Sequence, residues 1–112
     1  MKSKERLSKK EILRLLENKN LTKFQIKVLK AVAEIPKGET ISYKGLARKI
    51  GNPNAYRAVG HALSKNPFPI IIPCHRVIKS SGEIGNYSFG GKVKKQKLLT
   101  KEGYKSKNKK QI

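Results

Sequence analysis

Cys74 is the only cysteine in the chain, and His75 and Arg76 follow it directly. That grouping suits nucleophilic chemistry. A thiol attacks as its thiolate, an imidazole carries protons near neutral pH, and fixed positive charge from an arginine favours the ionised sulfur. Without such neighbours a cysteine is ordinarily a small buried hydrophobe. The preceding Ile70-Ile71-Ile72 reads as a buried strand or extended segment, which Pro73 stops by removing a backbone donor and fixing its own φ. The thiol is therefore expected at a forced bend.

Positioning this group falls to a small chain. Its 112 residues suffice for one domain. There are 27 Lys and Arg against 7 acidic residues, all glutamate, for a net charge of +20. Such a chain repels itself unless it meets a polyanion, and nucleic acid is the natural partner. An anionic membrane surface would also suit the charge, but no apolar run approaches the roughly 20 residues of a membrane span. With no signal-peptide pattern and one reduced thiol, the protein is expected to be soluble and cytoplasmic. Two histidines and one cysteine scattered among lysines form no ligand cluster, so neither a metal nor a cofactor is expected.

Ile12, Leu15 and Leu16 mark one face of a helix within an N-terminal extension, residues 1–20, that docks on the main domain. Thr22 is placed to cap a helix carrying Phe24, Val28, Leu29, Val32 and Ala33 and ending at Ile35. After a turn at Pro36–Glu39, Ser42 caps a short helix through Tyr43, Leu46, Ala47 and Ile50, which Gly51 ends. Asn52-Pro53-Asn54 turns the chain into a helix over Ala55–Leu63, and the pair reads as a helix-turn-helix. Asn66-Pro67-Phe68-Pro69 is extended. A turn at Ser80–Glu83 precedes a Gly-flanked loop, Gly85–Gly91, read as too flexible to exist for packing alone. A last helix, Lys92–Lys101, presents Val93, Leu98 and Leu99, with Gly103 as its C-cap. Residues 105–112 read as a basic disordered tail.

Read singly, Tyr43 is a packed helix residue, Arg57 a solvated charge and Glu102 a surface acid at a helix end. Their contexts change this. Ile41-Ser42-Tyr43, Arg57-Ala58-Val59-Gly60, Asn66-Pro67, Ile72-Pro73-Cys74-His75-Arg76-Val77, Gly85-Asn86-Tyr87-Ser88 and Glu102-Gly103 occur in one order between about Phe24 and Tyr104. That series resembles the O6-alkylguanine-DNA alkyltransferases, which move an alkyl group from guanine onto their own cysteine. The resemblance implies a mostly α (α or α+β) catalytic domain over residues 21–104, with a helix-turn-helix and few short strands or none. The additional N-terminal domain of many members is expected to be missing.

For chemistry, the resemblance implies Cys74 as alkyl acceptor, His75 as base through water, and Glu102 as the carboxylate orienting His75. Asn66 holds the active-site turn, and Tyr43 donates to the leaving guanine. For binding, it implies a monomer on double-stranded DNA carrying O6-alkylguanine. Arg57 is the intercalating finger of a minor-groove helix, with Ala58 and Gly60 allowing close approach. The base pocket is expected to draw on the carbonyls of Cys74 and Val77 and on Gly85, Tyr87, Ser88 and Phe89. His61 departs from the small or amide residue usual there and is expected to affect groove contact. The thioether product makes the reaction a single turnover. Two other readings compete: an alkyltransferase-like protein that flags lesions without chemistry, which lacks the cysteine, and a helix-turn-helix regulator, which gives Cys74-His75 no role.

Overall fold

The computed structural model describes residues 8–17 and 19–104. The tail at residues 105–112, and Leu7 within the N-terminal extension, lie outside them. Among the described residues there are five α-helices, α1 (Lys9–Glu17), α2 (Lys23–Ala33), α3 (Tyr43–Lys49), α4 (Tyr56–Ser64) and α5 (Gly91–Lys101), and two very short strands. The strands, β1 (Ile41–Ser42) and β2 (Val77–Ile78), pair in parallel with Ile41 opposite Val77. The expected mostly helical fold with few short strands is what forms.

The core is built on α2. Thr22 caps it through a full capping box with Gln25, and Val28, Leu29 and Val32 are buried on the face that the sequence periodicity marks. Fully burying each of these side chains contributes roughly 1.5–3 kcal/mol. Against α2 pack α1, α3, α4 and the turn carrying Cys74. Ile12 and Leu16 of α1 belong to the same hydrophobic cluster, whereas Leu15 is only half-buried. The helix ends at Ala33 with Glu34 as C-cap, slightly before the expected Ile35.

Ser42 caps α3 as expected, accepting from the Gly45 N–H at 2.8 Å. The linker at residues 50–55 closes through Ala55 N–H to Asn52 O, and α3 then packs on α4 as a helix-turn-helix. On α4, Val59, Ala62 and Leu63 face inward, while Arg57, Ala58 and His61 are exposed.

The structure departs from the sequence reading, or adds to it, in three places. Ile70–Ile72 is not a buried strand: Ile70 and Ile71 are 53% and 56% exposed, and only Ile72 is in the core. Prolines at 67, 69 and 73 deny the segment regular ladder donors, and Ile72 N–H instead closes a turn on Phe68 O. Ile70 sits at φ 80, a conformation that costs a β-branched residue about 1–3 kcal/mol. Next, Val93 is 71% exposed, and the inward face of α5 is formed by Lys95 and Leu99, one turn apart, with Leu98 half-buried. Finally, the Gly85–Gly91 loop does pack, because Tyr87 is buried in the core cluster.

Candidate active site

The bend before Cys74 is an inverse γ-turn. Pro73 has φ −76 and ψ 66, and Cys74 N–H reaches Ile72 O at 2.7 Å. Cys74–Arg76 then forms one turn of 3-10 helix, closed by Arg76 N–H to Pro73 O, and β2 follows. The tight turn sends three neighbouring side chains to three different places.

Cys74 is buried on the wall of a cavity of about 370 Å³, a size usual for small-ligand sites. Buried Asn66 ties the turn together: its amide nitrogen donates to Ile72 O at 2.8 Å and to Cys74 Sγ at 3.2 Å, while its oxygen accepts from Phe68 N–H. Burial pushes the thiol above its ordinary pKa, and the Asn66 N–H and the Lys95 ammonium oppose that rise without cancelling it. The resting sulfur therefore holds its proton and needs a group to take it.

His75 is that group's candidate. Fully buried, it has Nε2 2.9 Å from Glu102 Oε2, while Nδ1 has no hydrogen-bond partner among the described residues. Burial lowers its pKa and outweighs the Glu102 carboxylate, so the ring is neutral near pH 7. Burial alone would raise the Glu102 carboxyl, but hydrogen bonds from Arg76 and His75 hold it below its ordinary value. An ionised Glu102 makes Nε2 the protonated, donating nitrogen and leaves Nδ1 as the basic one.

Arg76 does not serve the sulfur as the sequence reading expects. Its Nε and Nη2 grip the two Glu102 oxygens at 2.9 and 2.7 Å, and Nη1 donates to Ile35 O just beyond α2. The cation near the thiol is Lys95, which the sequence reading missed. The available signal was register, since Lys95 stands one helical turn before Leu99 on α5.

Tyr43, first residue of α3, lines the cavity with Gly60, Leu63 and Ser64 of α4, and with Lys79, Asn86, Tyr87, Ser88 and Phe89. Its hydroxyl lies beside Gly85, whose φ of +81 and missing side chain let the loop approach. Burial, and then the Cys74 charge, raise the Tyr43 pKa, so the phenol keeps its proton to donate. Tyr87 is raised further, to about 12, again by burial first. Phe89, also on the cavity wall, meets Tyr87 edge-on, centroids 5.6 Å apart. Two residues expected at the pocket are not among those lining it: Val77 is fully buried in β2, and Gly85 sits beside the Tyr43 hydroxyl and Lys79. Arg57 and Ala58 lie on the exposed face of α4, Arg57 one turn before Gly60 at the cavity.

A family model for the 6-O-methylguanine DNA methyltransferase DNA-binding domain matches residues 23–104. The chain belongs to the 6-O-methylguanine DNA methyltransferase family. A family relative from Rattus norvegicus, the methylated-DNA--protein-cysteine methyltransferase, is 61% identical over 66 residues, covering 59% of this chain and 32% of its own length. The Mycobacterium tuberculosis OGT solved in complex with DNA superposes with a TM-score of 0.71 at 51% identity, over 73% of this chain and 49% of that one. The S. pombe Atl1 solved on DNA containing O6-carboxymethylguanine is 34% identical with a TM-score of 0.65, covering 76% and 80%. The chain thus spans about a third to a half of the methyltransferases it matches here. Within the family fold, the matched region holds Tyr43, Arg57, Asn66, Cys74, His75, Lys95 and Glu102 together.

Proposed function

We propose that this chain repairs DNA by moving the alkyl group of O6-alkylguanine onto Cys74, once per molecule. The observation that carries this reading is the Cys74-His75 turn on the cavity wall, with His75 Nε2 bonded to Glu102. It is the arrangement of a nucleophile, a base and an orienting carboxylate.

In a duplex the O6 atom is stacked out of reach, so the nucleotide is rotated into the cavity. Arg57, on the exposed face of α4 one turn from the cavity-lining Gly60, fills the gap, and Ala58 and Gly60 let the helix lie close in the minor groove. Tyr87, Ser88 and Phe89 wall the base, and the Cys74 carbonyl accepts from its amino group. The Cys74 proton passes through water to His75 Nδ1, the only basic nitrogen of the ring, and Glu102 stabilises the imidazolium. The S–C bond forms as the O6–C bond breaks. Its electron pair stays on the guanine, which takes a proton from Tyr43, and the His75 proton makes good that loss. The product is a neutral thioether, and no second thiol in the chain is available to remove the alkyl group. The chain acts as a monomer in the cytoplasm, where a single thiol stays reduced. A lesion-binding role without chemistry, which the Atl1 likeness would suit, leaves the Cys74–His75–Glu102 arrangement unused.

Cys74→Ala tests the reading. Transfer of a labelled methyl group from O6-methylguanine DNA should vanish while lesion-DNA affinity stays within a few fold, since the thiol adds little contact area. Loss of binding along with transfer would make Cys74 structural.

A further inference from the structure

Among the described residues that line the cavity, Lys79 is the one cation. It follows β2 directly, and the turn after it is closed twice: Gly82 N–H donates to Lys79 O, and Lys79 N–H to Glu83 O, each at 2.9 Å. The side chain runs along Gly85. A Cβ at that glycine would stand 3.5 Å from Lys79 Cγ and 3.5 Å from the Tyr43 hydroxyl, so the lysine stem and the phenol meet over the same residue. Beyond the stem, Nζ is 3.6 Å from Glu83 Oε1, and the two side chains are 53% and 66% exposed. Lys79 thus has its aliphatic part on the cavity wall and its charge at the rim.

That division suits a ligand with two parts. Tyr43, Leu63, Tyr87 and Phe89 give the wall an aromatic and apolar character that receives a base. A phosphate cannot follow the base inward without losing its water, so it stays at the rim, still joined to its strand. An exposed ion pair such as Lys79–Glu83 is weak. A phosphate oxygen can therefore replace the carboxylate on the same ammonium, with no new charge buried. We infer that Lys79 is a phosphate anchor: when a base enters the cavity, its ammonium exchanges Glu83 for a backbone phosphate flanking that nucleotide. Until then Glu83 holds the lysine at the rim, which reduces the side-chain ordering that binding must supply. Lys79 takes no part in the bond changes at sulfur; it positions the nucleotide.

The inference rests on a nucleotide rotating into the cavity, and its test reads binding, so alkyl transfer and the anchor can fail separately. Affinities are measured in a Cys74→Ala background, where no transfer intervenes. The duplexes carry O6-methylguanine with both flanking phosphates intact, or with one of them replaced by a neutral methylphosphonate. Lys79→Gln should weaken binding to the intact lesion duplex by roughly 3–10 fold and reduce the log-log salt slope by about 0.9. Lys79→Arg, which keeps a phosphate-binding charge, should stay within about twofold of its parent. At one flank at least, the methylphosphonate should cost the lysine protein the same factor and the glutamine protein less than about twofold. On undamaged duplex that coupling should vanish. Additive losses at both flanks, equal coupling in undamaged DNA, an equal loss in Lys79→Arg, or unchanged affinity in Lys79→Gln would each overturn the anchor. Lys79 is exposed, so its replacements should fold. Should Cys74→Ala itself not bind, the same comparison of lesion duplexes on initial transfer rates, with Cys74 in place, decides by the same outcomes.

Discussion

Glu102→Gln removes one negative charge from a site where three hydrogen bonds converge. His75 Nε2 and Arg76 Nη2 meet Oε2 at 2.9 and 2.7 Å, and Arg76 Nε meets Oε1 at 2.9 Å. A glutamine can accept at one of these positions, but its amide nitrogen then faces a donor at the other. Breaking a buried pair from one side costs about 3–5 kcal/mol. Here both side chains are 13% exposed and Arg76 keeps its bond to Ile35 O, so the loss should be near about 2–3 kcal/mol. At about 4–8 °C per kcal/mol for a domain near this size, melting should fall by roughly 10–20 °C. Because the folded Glu102 carboxyl is held below its ordinary value, its stabilising contribution is complete above the unfolded carboxyl's pKa. It is lost as pH falls through the folded one. Urea unfolding of both proteins should therefore show a wide gap near neutral pH that closes in acid. A variant within about 0.5 kcal/mol of wild type near neutrality, or a gap that persists unchanged in acid, would refute the clamp.

Arg57→Ala should slow transfer from duplex DNA far more than reaction with free O6-benzylguanine, which needs no rotation out of a stack; equal losses would remove its finger role. Phe89 lines the cavity and packs edge-on against Tyr87, so Phe89→Gly should raise the benzyl-to-methyl rate ratio by roughly 10 to 200 fold. An unchanged or lower ratio means that the ring does not gate bulky groups.

Helices were legible where one periodicity governed them. The Thr22 and Ser42 caps and the inward face of α2 follow from spacing and capping chemistry alone. Ile70–Ile72 misleads because three β-branched residues carry a strand signal that flanking prolines and the Asn66 side chain override with a turn. The α5 register is not legible from hydrophobicity, because the chain exposes Val93 and buries Lys95. At the site, Asn66 bonds Cys74, His75 bonds Glu102, and Tyr43 lines one cavity with Cys74. The partner of Arg76 lies 26 positions away at Glu102, and no local pattern encodes such a contact.

The central claim is that Cys74 takes the alkyl group from DNA. Incubating the protein with a duplex carrying one O6-methylguanine and weighing the intact chain and its peptides tests it most directly. A gain of one methyl group per protein, confined to the Cys74 peptide and matched by restored guanine, is the expected result. Saturated binding to the same duplex with no change in mass would contradict it.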